Sequence, residues 1–164
     1  LSVKVIGYFF QRFLPGKSTT FHRNFFFTGE FKNLTELVHL LGPNTGIKNK
    51  IEFKSKWNSR DSLEWSQMIR YGGLENLRGY REDQFFGDWV LLPSIEFFRY
   101  VTAETTISIF SEGAIQKKYH PYPWNYGVSL EQQYSNNHIS ISFAWGREDS
   151  FSKGKVHIKY VNIL

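Results

Sequence analysis

Five histidines, His22, His39, His120, His138 and His157, are the side chains best suited to hold a metal or carry a proton. Zinc ligands recur at short, regular spacings, and none of these histidines stands at one. Each reads as a loop, helix or strand-face residue. There is no cysteine, which removes disulfide scaffolds and thiolate metal sites. The adjacent carboxylates Glu82-Asp83 and Glu148-Asp149 have the character of solvated loops. No nucleophile elbow, P-loop, dinucleotide fingerprint or His-Glu-x-x-His motif occurs. An enzyme is therefore not expected, and no cofactor or metal is implied.

The remaining concentration of charge lies in one stretch, Tyr71 to Asp88. Its glycines, Gly72, Gly73, Gly79 and Gly87, open backbone angles that other residues avoid. Arg78, Arg81, Glu82, Asp83 and Asp88 stand there among aromatics, with strand-like segments on both sides. The plain reading is a solvated connector. Yet a long charged loop inside a β-patterned chain is more often functional or disordered than a mere link. At its centre is Leu77-Arg78-Gly79-Tyr80, preceded by a double glycine and followed by a strand containing Glu96.

The elements around this loop are set by composition and alternation. The chain of 164 residues has 16 Phe, 9 Tyr and 5 Trp against one Met. Aromatic enrichment of that kind favours strands, and the length suits one domain. The net charge is +5, but Lys and Arg are scattered and form no periodic basic face, so nucleic acid is not an expected partner. No apolar run is long enough for a transmembrane helix.

Read in order, Leu1 to Leu14 alternates as a strand and Pro15 to Ser18 as a turn. Thr19 to Phe31 sets Phe21, Phe25, Phe27 and Phe31 against His22, Asn24, Thr28 and Glu30. Leu34, Leu37, Val38 and Leu41 then fall at helical spacing between Asn33 and Gly42-Pro43, which predicts one short helix over 33–41. Gly46 to Trp57 is a poorer strand, and Asn58 to Arg70 a loop or helical turn. After the charged loop come strands over 89–101, 105–118, 126–134, 138–147 and 155–164. The stretch 138–147 is the cleanest: Ile139, Ile141, Phe143 and Trp145 oppose Ser140, Ser142, Ala144 and Gly146. The fold class is thus all-β and antiparallel, with about eight strands. Short turns alternate with longer loops, as in a barrel whose two ends face different compartments. Alternation alone does not choose between a membrane barrel and a soluble barrel with its apolar face inward.

From about residue 70 onward the order of motifs resembles the Omp85 superfamily, the BamA-like or surface-antigen outer-membrane barrels. Gly72-Gly73, then Leu77-Arg78-Gly79-Tyr80, then Gly87 and Glu96 are similar to that family's loop-six motif and its following strand. Phe110-Ser111-Glu112-Gly113 is a partial match to its Phe-x-Asp-x-Gly strand, with Glu in place of Asp and Gly one position early. Tyr126-Gly127-Val128 resembles the next strand, and five strands follow the loop in both. Upstream, only the β pattern agrees.

The resemblance implies a transmembrane β-barrel of about sixteen strands, of which residues 1–164 would be the C-terminal part. It implies a role in outer-membrane protein assembly, insertion or translocation, located in the cell outer membrane. The expected partners are outer-membrane lipid, substrate polypeptides and periplasmic accessory proteins. Neither the first barrel half nor the family's POTRA domains are within this sequence, so a fragment is expected, with an open sheet. The end, Tyr160 to Leu164, lacks the family's terminal aromatic. Arg78 should fold back to the polar face, where a lone buried guanidinium needs a carboxylate. Glu112 is the favoured acceptor and Glu131 the second. Two other readings stay open: a soluble β-barrel binding an apolar small molecule, and a small structural outer-membrane barrel.

Overall fold

A computed structural model describes residues 2–15, 25–58 and 63–162, with side chains from residue 29 onward. The turn expected at Pro15 to Ser18 falls largely outside them, as does the start of the strand expected from Thr19. The chain is all-β. Among the described residues ten strands form: β1 (Ser2–Pro15), β2 (Phe25–Gly42), β3 (Thr45–Asn58), β4 (Ile69–Tyr71), β5 (Phe85–Gly87), β6 (Trp89–Tyr100), β7 (Thr105–Gly113), β8 (Trp124–Tyr134), β9 (Asn137–Gly146) and β10 (Lys155–Asn162). Eight of them make one antiparallel sheet in the order β1-β2-β3-β6-β7-β8-β9-β10. The short pair β4-β5 is a separate ribbon inside the charged loop. Among the described residues no ladder joins β1 to β10, and the sheet is open rather than a closed barrel.

The helix expected over 33–41 is absent: those residues lie within β2. Asn33 pairs with Gly7 of β1 and with Phe53 of β3, and Thr35 with Val5 and Ile51. Four apolar residues at helical spacing supply one weak stripe. Ladders on both sides pair the segment as far as Val38, and β3 continues alone through Leu40, so tertiary context overrides the local period. The register is irregular only between Leu40 and Gly42, just before the turn into β3. The strand expected to reach Lys118 ends at Gly113. Beyond it, Ile115 makes a single bridge to Leu91.

Cross-strand register sorts the side chains into two unlike faces. On one, Ile107 of β7, Leu130 of β8, Ile141 of β9 and Ile158 of β10 stand in one row. Ile109, Val128, Phe143 and Val156 form the next. These rows are bare: Ile109 is 58% exposed and Ile158 69%. On the other face Glu96, Ser108, Glu112, Asn125, Ser129, Ser140 and Ser142 are all buried. This inverts the usual soluble arrangement, in which apolar residues are inside.

The charged loop covers the polar face. It is not the solvated connector its composition suggests, because it brings its own apolar cluster. Ile69, Tyr71, Leu77 and Phe85 from the loop pack on Val90, Leu92 and Ala114 of the sheet side, flanked by Tyr80 and Tyr119. Tyr71 stacks on Phe85 with ring centroids 5.5 Å apart, and Tyr119 meets Phe85 edge-on at 5.0 Å. Leu77 is wholly buried.

Candidate functional site

The loop reaches the sheet through a tight local fold. Gly72 and Gly73 have φ of +118° and +87°, in the region glycine tolerates and other residues do not. They reverse the chain, so that Gly73 N–H donates to Leu77 O and Leu77 N–H to Gly73 O. Asn76 Oδ1 accepts from Gly72 N–H, and Glu82 Oε1 from Leu74 N–H. Glu82 is therefore a structural acceptor of the loop itself. The small reversal drives Leu77 into the apolar cluster and turns its neighbour Arg78 toward the buried polar face.

There Arg78 meets Glu112 of β7. Its Nε and Nη2 both lie 2.8 Å from Glu112 Oε1. Its own backbone N–H donates to the other oxygen, Oε2, at 2.8 Å. Asn125 Nδ2 of β8 donates to that same Oε2 at 3.0 Å. One carboxylate thus gathers four donors, three of them from a single residue. The side chains of Arg78 and Glu112 are only 12% and 7% exposed, so both charges depend on each other for compensation. Beneath, the guanidinium carbon lies 3.3 Å from the ring centre of Phe110, a cation–π contact at a desolvated site. Space for that ring comes from Gly127, where a Cβ would stand 2.5 Å from Phe110 Cζ.

The motif's other residues lock the approach. A Cβ at Gly79 would come within 2.5 Å of Asn125 Cβ and 2.6 Å of Gly146 N, so the loop backbone lies against β8 and β9 with no room for a side chain. Tyr80 Oη donates to Trp124 O and accepts from Arg147 N–H. Burial raises the Tyr80 phenol above its ordinary range, against the lowering effect of those two backbone bonds. His157 Nε2 of β10 donates to Arg78 O at 2.6 Å. Glu75 and Lys159 add an outer ion pair at 2.8 Å. The Lys159 hydrogen bond holds the Glu75 carboxyl below the usual range.

Leu77, Arg78, Gly79, Tyr80 and Glu112 are thus brought together, and Glu131 is not. Glu131 shares the polar face but stands 3.8 Å from His138 Nε2. Glu96 of β6 takes Lys48 Nζ at 2.9 Å and the Ser108 hydroxyl, which in turn contacts Ser129 Oγ at 2.7 Å. Sequence reasoning passed over Phe110, Asn125 and His157 as parts of the site. Cross-strand neighbours carry the signal: Glu112 pairs with Asn125, and Phe110 with Gly127.

Among the described residues no group of three or more His, Asp or Glu converges to hold a metal ion. The arrangement positions a loop. No protein-family model matches the chain, and no curated protein matches it.

Proposed function

We propose that this chain is part of an outer-membrane β-barrel of the Omp85 type, acting in outer-membrane protein assembly or insertion, or in protein translocation. One observation carries the reading: the sheet buries its charged face under the Arg78 loop and leaves its apolar face bare. Rows of Ile, Val, Leu and Phe across four strands are costly in water and suited to hydrocarbon. Strands β6, β8 and β9, of 12, 11 and 10 residues, match the tilted span of a bilayer. The polar face, with Arg78 held on Glu112, would line the barrel interior. Outer-membrane lipid would cover the apolar rows, and the handled partners would be substrate polypeptides, with periplasmic accessory proteins assisting. The activity needs no cofactor, because holding and releasing a strand is binding work. The transmembrane barrel, and closure of the open sheet by further strands, belong to this proposal.

The test is reconstitution of the full gene product into liposomes, followed by the rate at which a small unfolded outer-membrane barrel inserts. A faster insertion rate, reduced by Arg78→Ala, is expected. A protein that stays in the soluble fraction and takes up a fatty acid stoichiometrically would overturn the proposal in favour of a soluble carrier.

A further inference from the structure

Next to the Arg78 motif, at the loop end of β8 and β9, lies an open cavity of about 800 Å³. One wall is Tyr80, the last residue of the motif, and Arg81 directly after it; the opposite wall is the β9–β10 connection from Gly146 to Lys155. Five cationic side chains line it: Arg81, Lys118, Arg147, Lys153 and Lys155. Only two carboxylates, Glu148 and Asp149, oppose them. Asp149 is already engaged, since Lys155 Nζ lies 2.6 Å from its Oδ2 and Gly146 N–H donates to the same oxygen at 2.9 Å. Lys118 is spread over the Phe86 ring, 3.4 Å from its centre.

That leaves Arg81, Arg147 and Lys153, which form no ion pair among the described residues. The hydrogen bonds that fasten these three residues to the loops run through their backbones. Arg81 is fastened through its backbone N–H to Gln84 Oε1, and Arg147 through its backbone N–H to Tyr80 Oη. Lys153 N–H donates to Ser150 O. Arg81, Arg147 and Lys153 therefore line one concave space in which Glu148 is the one carboxylate without an ion-pair partner among the described residues, so positive charge is in excess. Convergent like charge disfavours the compact state and raises the local concentration of anions. Guanidinium groups in particular match phosphate oxygens in planar pairs.

We infer that this cavity binds a multiply charged phosphate group, carried by a lipid headgroup or by a soluble phosphate compound. Two arginines and a lysine suit two phosphoryl groups, or one with both charges ionised. The inference does not rest on the proposed insertion activity, because neither the apolar rows nor the Arg78–Glu112 pair lines this cavity.

The probes are sodium pyrophosphate, titrated calorimetrically into the full chain in zwitterionic detergent, and vesicles of phosphatidylcholine with or without phosphatidic acid, scored by flotation. Three proteins are compared: the parent, the cavity variant R81Q/R147Q/K153Q, and the charge-matched control R70Q/R99Q/K117Q. All six replaced residues are exposed, so folding is expected to be retained. The parent and the control should bind, and the cavity variant should bind about tenfold or more weakly, with affinity falling as salt rises. A preference for phosphatidic acid that vanishes in the cavity variant assigns a lipid headgroup. Pyrophosphate binding without that preference assigns a soluble ligand. Absence of both, or equal weakening in the cavity variant and the control, would overturn the inference.

Discussion

Truncating Arg78 separates loop docking from sheet stability. In Arg78→Ala, Glu112 Oε1 loses both guanidinium contacts and Phe110 loses its cation. Oε2 keeps two donors, the backbone N–H of residue 78 and Asn125 Nδ2. A charge-assisted hydrogen bond is worth about 1.5–3 kcal/mol net, and two bonds to one oxygen are not additive. A fully orphaned buried charge would cost about 3–5 kcal/mol. The retained donors on Oε2 keep the variant below that limit, at about 2–4 kcal/mol. The loss falls on the docked loop, because no ladder of the main sheet includes residue 78. Hydrogen exchange read by mass spectrometry should show amides of residues 72–82 exchanging about 30- to 900-fold faster, with β6 to β9 unchanged. Unchanged exchange over 72–82, or equal acceleration throughout, would refute the reasoning. The same geometry says that a charge swap, Arg78→Glu with Glu112→Arg, does not rescue docking. The residue 78 N–H and Asn125 Nδ2 would then face a cation and lose their acceptor.

Three further outcomes follow from the same contacts. Gly79→Ala places a methyl within 2.5–2.7 Å of β8 and β9 atoms and should undock the loop by about 1–3 kcal/mol, visible as faster exchange over 72–82. On the outer face, Ile109→Arg should cost about 2–4 kcal/mol in bilayers by urea titration if lipid covers it; a change within about 0.5 kcal/mol would mark it as an ordinary water-exposed position. With pH, burial opposes ionisation of Asp149, but Lys155 and the Gly146 N–H outweigh it and hold the carboxyl below its ordinary range; Glu75 is lowered first by its Lys159 bond. A depressed carboxyl stabilises the fold above its unfolded pKa and loses that contribution as pH falls through its folded pKa. Protection of the amides over 146–155, taken relative to their intrinsic pH-dependent exchange rates, should therefore be constant above about pH 5 and fall on acidification below about pH 4, and Asp149→Asn should remove the Asp149 part of that fall.

Much of the sheet could be read from alternation. Ile139 and Phe143 are exposed while Ser140 and Ser142 are buried, the split that period two assigns to opposite faces. Alternation does not say which face is covered, and here the polar one is. The segment 33–41 misled because four apolar residues fit a helix locally, and the two ladders that override it come from distant sequence. The loop misled for a related reason. Tyr71, Leu77 and Phe85 have no periodic spacing, so their shared cluster with Val90 and Leu92 exists only once the chain has folded back. Arg78 was legible from its setting among glycines. The partners of Glu112 were less so, because Asn125 and Phe110 reach it through strand register and His157 reaches the motif from the last strand.

The chain of polar contacts Lys48–Glu96–Ser108–Ser129, which crosses from β6 to β7 on a diagonal, also acts as a check on assembly errors. Ser108 pairs with Ser129 across β7 and β8. A slip of one residue would put Leu130 in that place and turn the whole of β8 inside out. A slip of two preserves the faces and so escapes that penalty. In one direction it brings Glu131 opposite Ser108, next to Glu96, setting two carboxylates against one lysine. In the other it brings Gly127 there, which leaves the serine hydroxyl without its neighbour and slides Phe110 off its glycine. Each near-miss alignment thus meets a different electrostatic or steric fault, and a strand that pairs wrongly during folding has a reason to let go and try again.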